Sequence, residues 1–171
     1  EQMDAGDIIM QKEVEIDEDE TTGQLWDRLS KIGAELWLES IKNIENGTAT
    51  RTVQPEEFTL APMLTKDMSK IDWKIKTSSD IKNLVRGLNP IMGALSFLNG
   101  KKVKFWKVQS ISKEEFLEVS ENCEHLDFVK ASFGTVILVN EKKGLYIKTR
   151  DGIISVLEIQ GENARRMSIN E

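Results

Sequence analysis

Residues 84–111 read LVRGLNPIMGALSFLNGKKVKFWKVQSI, and the fold is decided here. Ile81, Leu84, Val85 and Leu88 recur at helical spacing and stop at Asn89-Pro90, where the missing proline N–H and the restricted residue before it end a helix. Short apolar segments then flank Asn99-Gly100, the strongest two-residue hairpin signal. The stretch is therefore a helix exit followed by a β-ribbon, and Lys101, Lys102, Lys104 and Lys107 charge that ribbon. Apolar positions change parity across Val103, Phe105, Trp106 and Val108, which predicts a bulge that bends the second strand.

Downstream, strands are expected at 94–98, 102–111, 135–139, 145–149 and 153–159, divided by Asn99-Gly100, residues 140–144 and Asp151-Gly152. Five short, bent strands suit a small barrel of the oligonucleotide-binding (OB) type. Residues 112–133 interrupt them with 6 acidic residues against Lys113 and Lys130. That insert reads as peripheral decoration, with a helical turn at 114–119 laying Phe116 and Leu117 on the barrel. A helix start is plausible at the closing residues 168–171.

Upstream, residues 8–16 pass from an apolar run into alternation, the pattern of a strand leaving a buried sheet. Thr21 and Gln24 form a capping box for a helix that carries Leu25, Leu29, Ile32 and Leu36, then a rotated stripe of Trp37, Ile41 and Ile44. The rotation follows Gly33, so either two helices or one bent helix is expected before Asn46-Gly47. Residues 48–76 lack periodicity and read as a surface connector anchored by Trp73. Thr77, Ser78 and Ser79 each offer an N-cap for a helix over 80–88. Trp26, Trp37, Trp73 and Trp106 read as packing residues, with base stacking a minor alternative for Trp106.

The 171 residues suffice for one domain or two small ones. There is no apolar run of the ~20 residues a membrane helix needs, and the single cysteine, Cys123, forms no internal disulfide, so a cytoplasmic setting is the default. The net charge of −6 hides an asymmetry: residues 1–60 carry 5 Lys+Arg and 15 Asp+Glu, whereas residues 64–107 carry 10 and 3. A polyanionic partner is thus expected at the second part rather than the first. Charge runs are ordinarily solvated surface; here the clustering of Lys66, Lys70, Lys74, Lys76, Arg86, Lys101, Lys102, Lys104 and Lys107 sets phosphate contact level with that reading. Cys123 and His125 lie near Glu121 and Glu124, but no second cluster completes a metal site, and His125, the only histidine, reads as a surface residue.

Two separated stretches then become familiar. Met3-Asp4-Ala5-Gly6-Asp7 resembles the L-D-T-G-D segment that closes the catalytic domain of the methionyl-tRNA formyltransferase family. Arg86-Gly87-Leu88-Asn89-Pro90 with Gly93-Ala94 resembles the R-x-x-N-P-W-P-G-A corner that opens its C-terminal barrel, and Leu64-Thr65-Lys66-Asp67 with Ile71-Asp72-Trp73 resembles its linker. Ile91-Met92 depart from Trp-Pro, and Ala5 from Thr. The resemblance implies an α/β fragment, the end of a Rossmann-like formyltransferase domain, followed by a small OB-like β-barrel domain. Its expected parts are residues 1–58 from the catalytic domain, a linker at 59–76, and a tRNA-binding domain at 77–171 with the insert at 112–133.

By the same resemblance, a formyl group passes from 10-formyltetrahydrofolate, the co-substrate, to the amino group of methionyl initiator tRNA. Asp4 is the implied catalytic carboxylate, acting with an Asn and a His expected upstream of Glu1, so the chain is expected to be an excerpt inactive by itself. Lys66, Lys70, Lys74, Arg86, Lys101, Lys102, Lys104 and Lys107 are the implied tRNA contacts. No metal and no membrane partner are expected, and the chain is expected to be a monomer. Two alternatives stand beside this reading: a non-catalytic RNA-binding OB module, and a related folate-dependent formyltransferase or hydrolase with another acceptor.

Overall fold

The computed structural model describes residues 4–121, 123–124 and 126–169; His125 lies outside them. The chain forms two compact units, Glu1–Leu64 and Thr65–Glu171.

In the first unit, helix α1 spans Thr22–Glu45. Thr21 and Gln24 close its N-terminus reciprocally, and Gly47, at φ 69°, follows its C-terminus. The helix is continuous through Gly33, one element rather than two. Nothing lies within 4 Å of where a Cβ on Gly33 would stand, so no close packing contact requires a glycine there. None of its residues is buried, and Trp26 and Trp37 are 66% and 67% exposed rather than packed. The strand expected at 8–16 is reduced to one antiparallel bridge, Ile8 to Thr52. A strand needs a row of backbone partners from a neighbouring strand, and among the described residues only Thr52 pairs with this segment through its backbone.

The second unit is built on an antiparallel sheet whose strands are β1 (Ala94–Leu98), β2 (Lys101–Ile111), β3 (Val136–Asn140), β4 (Gly144–Lys148), β5 (Ile153–Gly161) and β6 (Met167–Ser168). The order is β1-β2-β5-β4-β3, with β6 on β5. Asn99 and Gly100 both take positive φ, 50° and 79°, as a two-residue hairpin requires. The expected bulge is present: the β2–β5 register shifts between Phe105 and Lys107 and again before Val108.

The sheet is open, so the closed barrel expected from strand count is not formed. The free side of β1 is met by Lys70-Ile71, with Ile71 N–H donating to Leu95 O at 2.9 Å, and Leu126 N–H reaches Ile137 O of β3 at 2.8 Å. Single chain segments thus cover edges that would otherwise expose unpaired backbone. The helix start expected near 168 is instead β6: Glu158 and Ile159 pair with Ser168 and Met167. Residues 170–171 lie outside the described residues.

Helix α2, Ser78–Gly87, is capped reciprocally by Thr77 and Asp80. Ile81, Val85 and Leu88 pack with Ala94, Phe105, Val108, Ile154 and Val156 into the main core. Trp73 anchors the preceding segment as expected, its indole N–H donating to Ser96 Oγ at 2.9 Å and its ring meeting Phe105 edge-on.

The insert is not decoration. Helix α3, Lys113–Ser120, carries Phe116, fully buried, into a second core with Ile137, Leu138, Tyr146 and Ile153. Phe128, also from the insert, stacks edge-on against Phe116. Leu117, expected to pack beside Phe116, is instead 52% exposed, because adjacent helical residues face ~100° apart and only one meets the sheet.

Candidate nucleic-acid interface and catalytic carboxylate

Antiparallel pairing places directly opposed residues on the same face of a sheet. In the β1–β2 ribbon, Phe97 opposes Lys102 and Leu95 opposes Lys104. Lys104 also opposes Gln160 of β5. The intervening partners Ala94 and Phe105 enter the core, so the lysine face is the one turned away from α2. Val103 and Phe105 thus turn inward and the Lys102 and Lys104 ammonium groups outward, while Trp106, at the bulge, lies against Lys104 and Gln160.

Tertiary pairing extends this face to a residue far off in sequence. Lys70 bridges Leu95 in parallel, so Lys70, Leu95, Lys104 and Gln160 form one row across the sheet. At the usual spacing of neighbouring strands, the Cα atoms of Lys70 and Lys104 stand about 9–10 Å apart. Lys66 opens the 3-10 helix Lys66–Ser69 just before this row. The Lys70 ammonium pairs with Asp67 Oδ1 at 2.8 Å, and this contact holds the Asp67 carboxyl below its ordinary range.

The remaining candidates are distributed. Lys101 and Lys102 are exposed beside the turn, and Lys74 is exposed beside Trp73. Lys104 is half-buried, with Nζ 5.6 Å from the centre of the Trp106 ring. Lys107 follows the bulge and opposes Glu158, a carboxylate that Arg166 engages. Arg86 sits on α2, behind the opposite face, with Nε donating to Asn83 Oδ1 at 2.9 Å. The fold gathers Lys70, Lys102 and Lys104 on one face and leaves Arg86 behind the sheet.

Trp106 is buried and unsuited to stacking on a base. Its indole N–H donates to Gln160 Oε1 at 3.0 Å, the Arg166 guanidinium lies 5.0 Å from its ring, and Gly93 lies flat against it. A Cβ at Gly93 would come within 3.1 Å of the ring. Asn89 Nδ2 donates to Trp106 O at 2.8 Å across the corner. An aromatic therefore does fill the corner where Ile91-Met92 replace the expected Trp-Pro; it arrives from the bulged strand.

Asp4 lies in the first unit, exposed, with its backbone in the left-handed region at φ 60°. Non-glycine residues held there carry strain of order 1–3 kcal/mol and persist where surrounding contacts fix them. Gln54 supplies such contacts, its Nε2 donating to Asp4 O at 2.9 Å and to Gly6 O at 2.6 Å. Sequence reading missed Gln54, because it sits 50 residues away in a connector without periodicity. Among the described residues, no group of three His, Cys, Asp or Glu side chains is placed to hold a metal ion. No described helix is long and apolar enough to cross a membrane.

An antiparallel sheet packed against α2 and α3, following a helical first unit, defines a fold that recurs in solved structures. HypX from Aquifex aeolicus matches with a TM-score of 0.67 at 20% identity, covering 98% of this chain and 27% of that one. A second structure of HypX, in complex with tetrahydrofolic acid, matches with a TM-score of 0.66 at 19% identity, over the same shares. At such identity the likeness concerns the fold alone.

Sequence comparison is more specific. The family described as formyl transferase, C-terminal domain, matches residues 63–171, and the chain belongs to it. Curated relatives include the methionyl-tRNA formyltransferases of Acetivibrio thermocellus, 38% identical, and Clostridioides difficile, 37% identical, each over 99% of this chain and 50% of the relative. The chain spans about half the length of the curated relatives it matches.

Proposed function

We propose that this chain forms the substrate-gripping part of a methionyl-tRNA formyltransferase and contributes one carboxylate, Asp4, to its chemistry. The observation that carries the reading is the row Lys70–Leu95–Lys104, with Lys102 beside it, within a chain of the formyl transferase C-terminal domain family. Ammonium groups on one sheet face suit a nucleic-acid backbone, whose phosphates fix register without reading sequence. Lys66, Lys74 and Lys101 extend the contact, with Lys107 at its margin, whereas Arg86, behind the sheet, stands apart from this face. The proposal uses the sheet face and needs no closure into an OB barrel. The setting it implies is cytoplasmic, with initiator methionyl-tRNA as partner.

In the reaction proposed, 10-formyltetrahydrofolate supplies the formyl carbon. The methionyl amine nitrogen attacks that carbon, a new C–N bond forms, the bond from carbon to the folate N10 breaks, and N10 receives the proton the amine loses. Asp4 orients the imidazole that relays this proton, a role that needs an ionised carboxylate held in fixed geometry. The left-handed backbone of Asp4 and the Gln54 clamp support such fixation.

Two experiments test the reading. Initiator tRNA binding to the chain, titrated with salt, should weaken by about 10³ between 50 and 200 mM if six phosphates are contacted. Lys102→Ala should lower the log–log slope by about one; a flat dependence in the parent chain refutes phosphate contact. For catalysis, residues 4–171 should restore formyl transfer when they replace the matching half of the Acetivibrio thermocellus relative. In that chimaera Asp4→Asn should cost about 10²–10⁴ in kcat. A chimaera that binds tRNA but turns over equally with Asn at position 4 removes Asp4 from the chemistry.

A further inference from the structure

We infer that Phe97 is a stacking platform for one unpaired base of the bound RNA, an inference that rests on the phosphate-contact reading of the neighbouring lysines. Phe97 directly opposes Lys102, with the pair Leu95 and Lys104 two residues along the same ribbon. These four side chains therefore share the face turned away from the core. Along each strand the two pairs are separated by about 6.7 Å. Phe97 is 54% exposed, whereas Phe105 and Trp106 on the next strand are both buried.

The charge around the ring selects its occupant. No Asp or Glu occurs from residue 81 to residue 112, so β1, the turn and β2 offer only neutral and basic groups, and the carboxylate of α2, Asp80, is engaged by Thr77 at the far end of that helix. From β5, Gln160 is the neighbour of Lys104, and the acidic Glu158 lies further on, opposite Lys107 and engaged by Arg166. From the segment on the other side of β1, Lys70 adds a further ammonium group, accompanied by the carboxylates of Asp67, which pairs with it, and of Asp72, whose Oδ1 accepts from the Lys74 backbone N–H. A flat apolar ring framed by Lys70, Lys102 and Lys104 complements a ligand that joins a π-face to phosphates. An unstacked nucleotide has both, and single-stranded RNA segments are characteristically held by aromatic stacking beside basic groups. Sequence gave no cue, since a phenylalanine in a β-ribbon reads as core until the pairing register assigns its face.

The test compares Phe97 variants of the full chain for binding to an initiator tRNA transcript, with thermal unfolding as the control for folding. Phe97→Ala should weaken binding about 5- to 100-fold, the range of one base–aromatic stack, with the salt slope unchanged. Phe97→Leu should lose as much, because it keeps apolar bulk without a π-face, and Phe97→Tyr should stay within about twofold of the parent. Wild-type affinity in the Leu or Ala variant overturns the inference. If it does so while Lys102→Ala still lowers the salt slope, phosphate contact survives without the stack; if the parent shows no salt dependence, the phosphate reading fails and the Phe97 assignment with it. A change in the sedimentation of the RNA-free chain on Phe97→Ala, without loss of RNA affinity, would assign the face to a second copy instead.

Discussion

The carboxylate of Asp151 accepts a hydrogen bond from the backbone N–H of Ser78 at 2.7 Å, tying the β4–β5 turn to the N-terminus of α2. Asp151 Oδ1 also accepts from Thr149 Oγ1 at 3.1 Å, and Ser110 Oγ donates to Ser78 Oγ at 2.9 Å. Residues 78, 110 and 151 therefore lock the helix to β2 and to the β4–β5 turn at one point, and a carboxylate there complements the positive end of the helix. Asp151→Ala should destabilise the chain by about 1–2 kcal/mol, and Asp151→Asn by less, since it keeps an acceptor at Oδ1. Urea unfolding of the two variants checks both the size and the order.

Acid should weaken the same helix end through Asp80. Its carboxyl lies below its ordinary value of 3.8, chiefly because the Thr77 backbone N–H donates to it, with the Thr77 hydroxyl adding to this. A carboxyl depressed in the folded state stabilises the fold above its unfolded value and loses that contribution as pH falls through the folded value. The stability advantage of the parent over Asp80→Ala should accordingly be constant from pH 7 to about 5 and shrink below about 4. Unfolding curves measured across pH 2.5–7 decide it; an advantage that grows in acid refutes the assignment.

Phe116 carries the second core. It is fully buried and meets both Phe128 and Tyr146 edge-on, with ring centres 5.8 and 5.7 Å away. Phe116→Ala should cost about 3–5 kcal/mol. Leu117→Ala, one residue along but half-exposed, should stay within about 1 kcal/mol of the parent. Equal effects at the two positions would return the insert to a peripheral role.

Gly134 should not tolerate a side chain. Its φ is +83°, and a Cβ would stand 2.7 Å from Trp73 Cγ. Gly134→Ala combines a disfavoured backbone with overpacking against a ring that Ser96 and Phe105 hold in place, and should cost about 2–4 kcal/mol. Tryptophan fluorescence during unfolding reports the local change, because the displaced ring is Trp73. Gly87→Ala, where nothing lies within 4 Å, is the matched control.

Local chemistry explains which features were legible in the sequence. The capping box at Thr21–Gln24 involves residues three apart, so that helix start could be read directly; at the second helix Thr77, Ser78 and Ser79 are equal candidates, and the Thr77–Asp80 box sets the start at Ser78 rather than 80. The Asn99-Gly100 turn and the bulge at Phe105–Lys107 are likewise written in adjacent residues. The apolar turn of 114–119 was legible as a helix, but its partners Ile137, Leu138 and Tyr146 lie about twenty residues or more away, so its place in a core was not.

The chain by itself determined the helices, the hairpin, the charged ribbon and, through Asp4 and the Arg86–Pro90 corner, the family. Only the tertiary structure decided that the sheet stays open, that Lys70 joins the row of Lys104, that Arg86 falls behind that face, and that Phe97 turns outward. The reason is physical: caps, turns and bulges are set by interactions over a few residues, whereas a sheet face is set by register between strands far apart in the chain. Shifting that register by one residue exchanges the core for the surface.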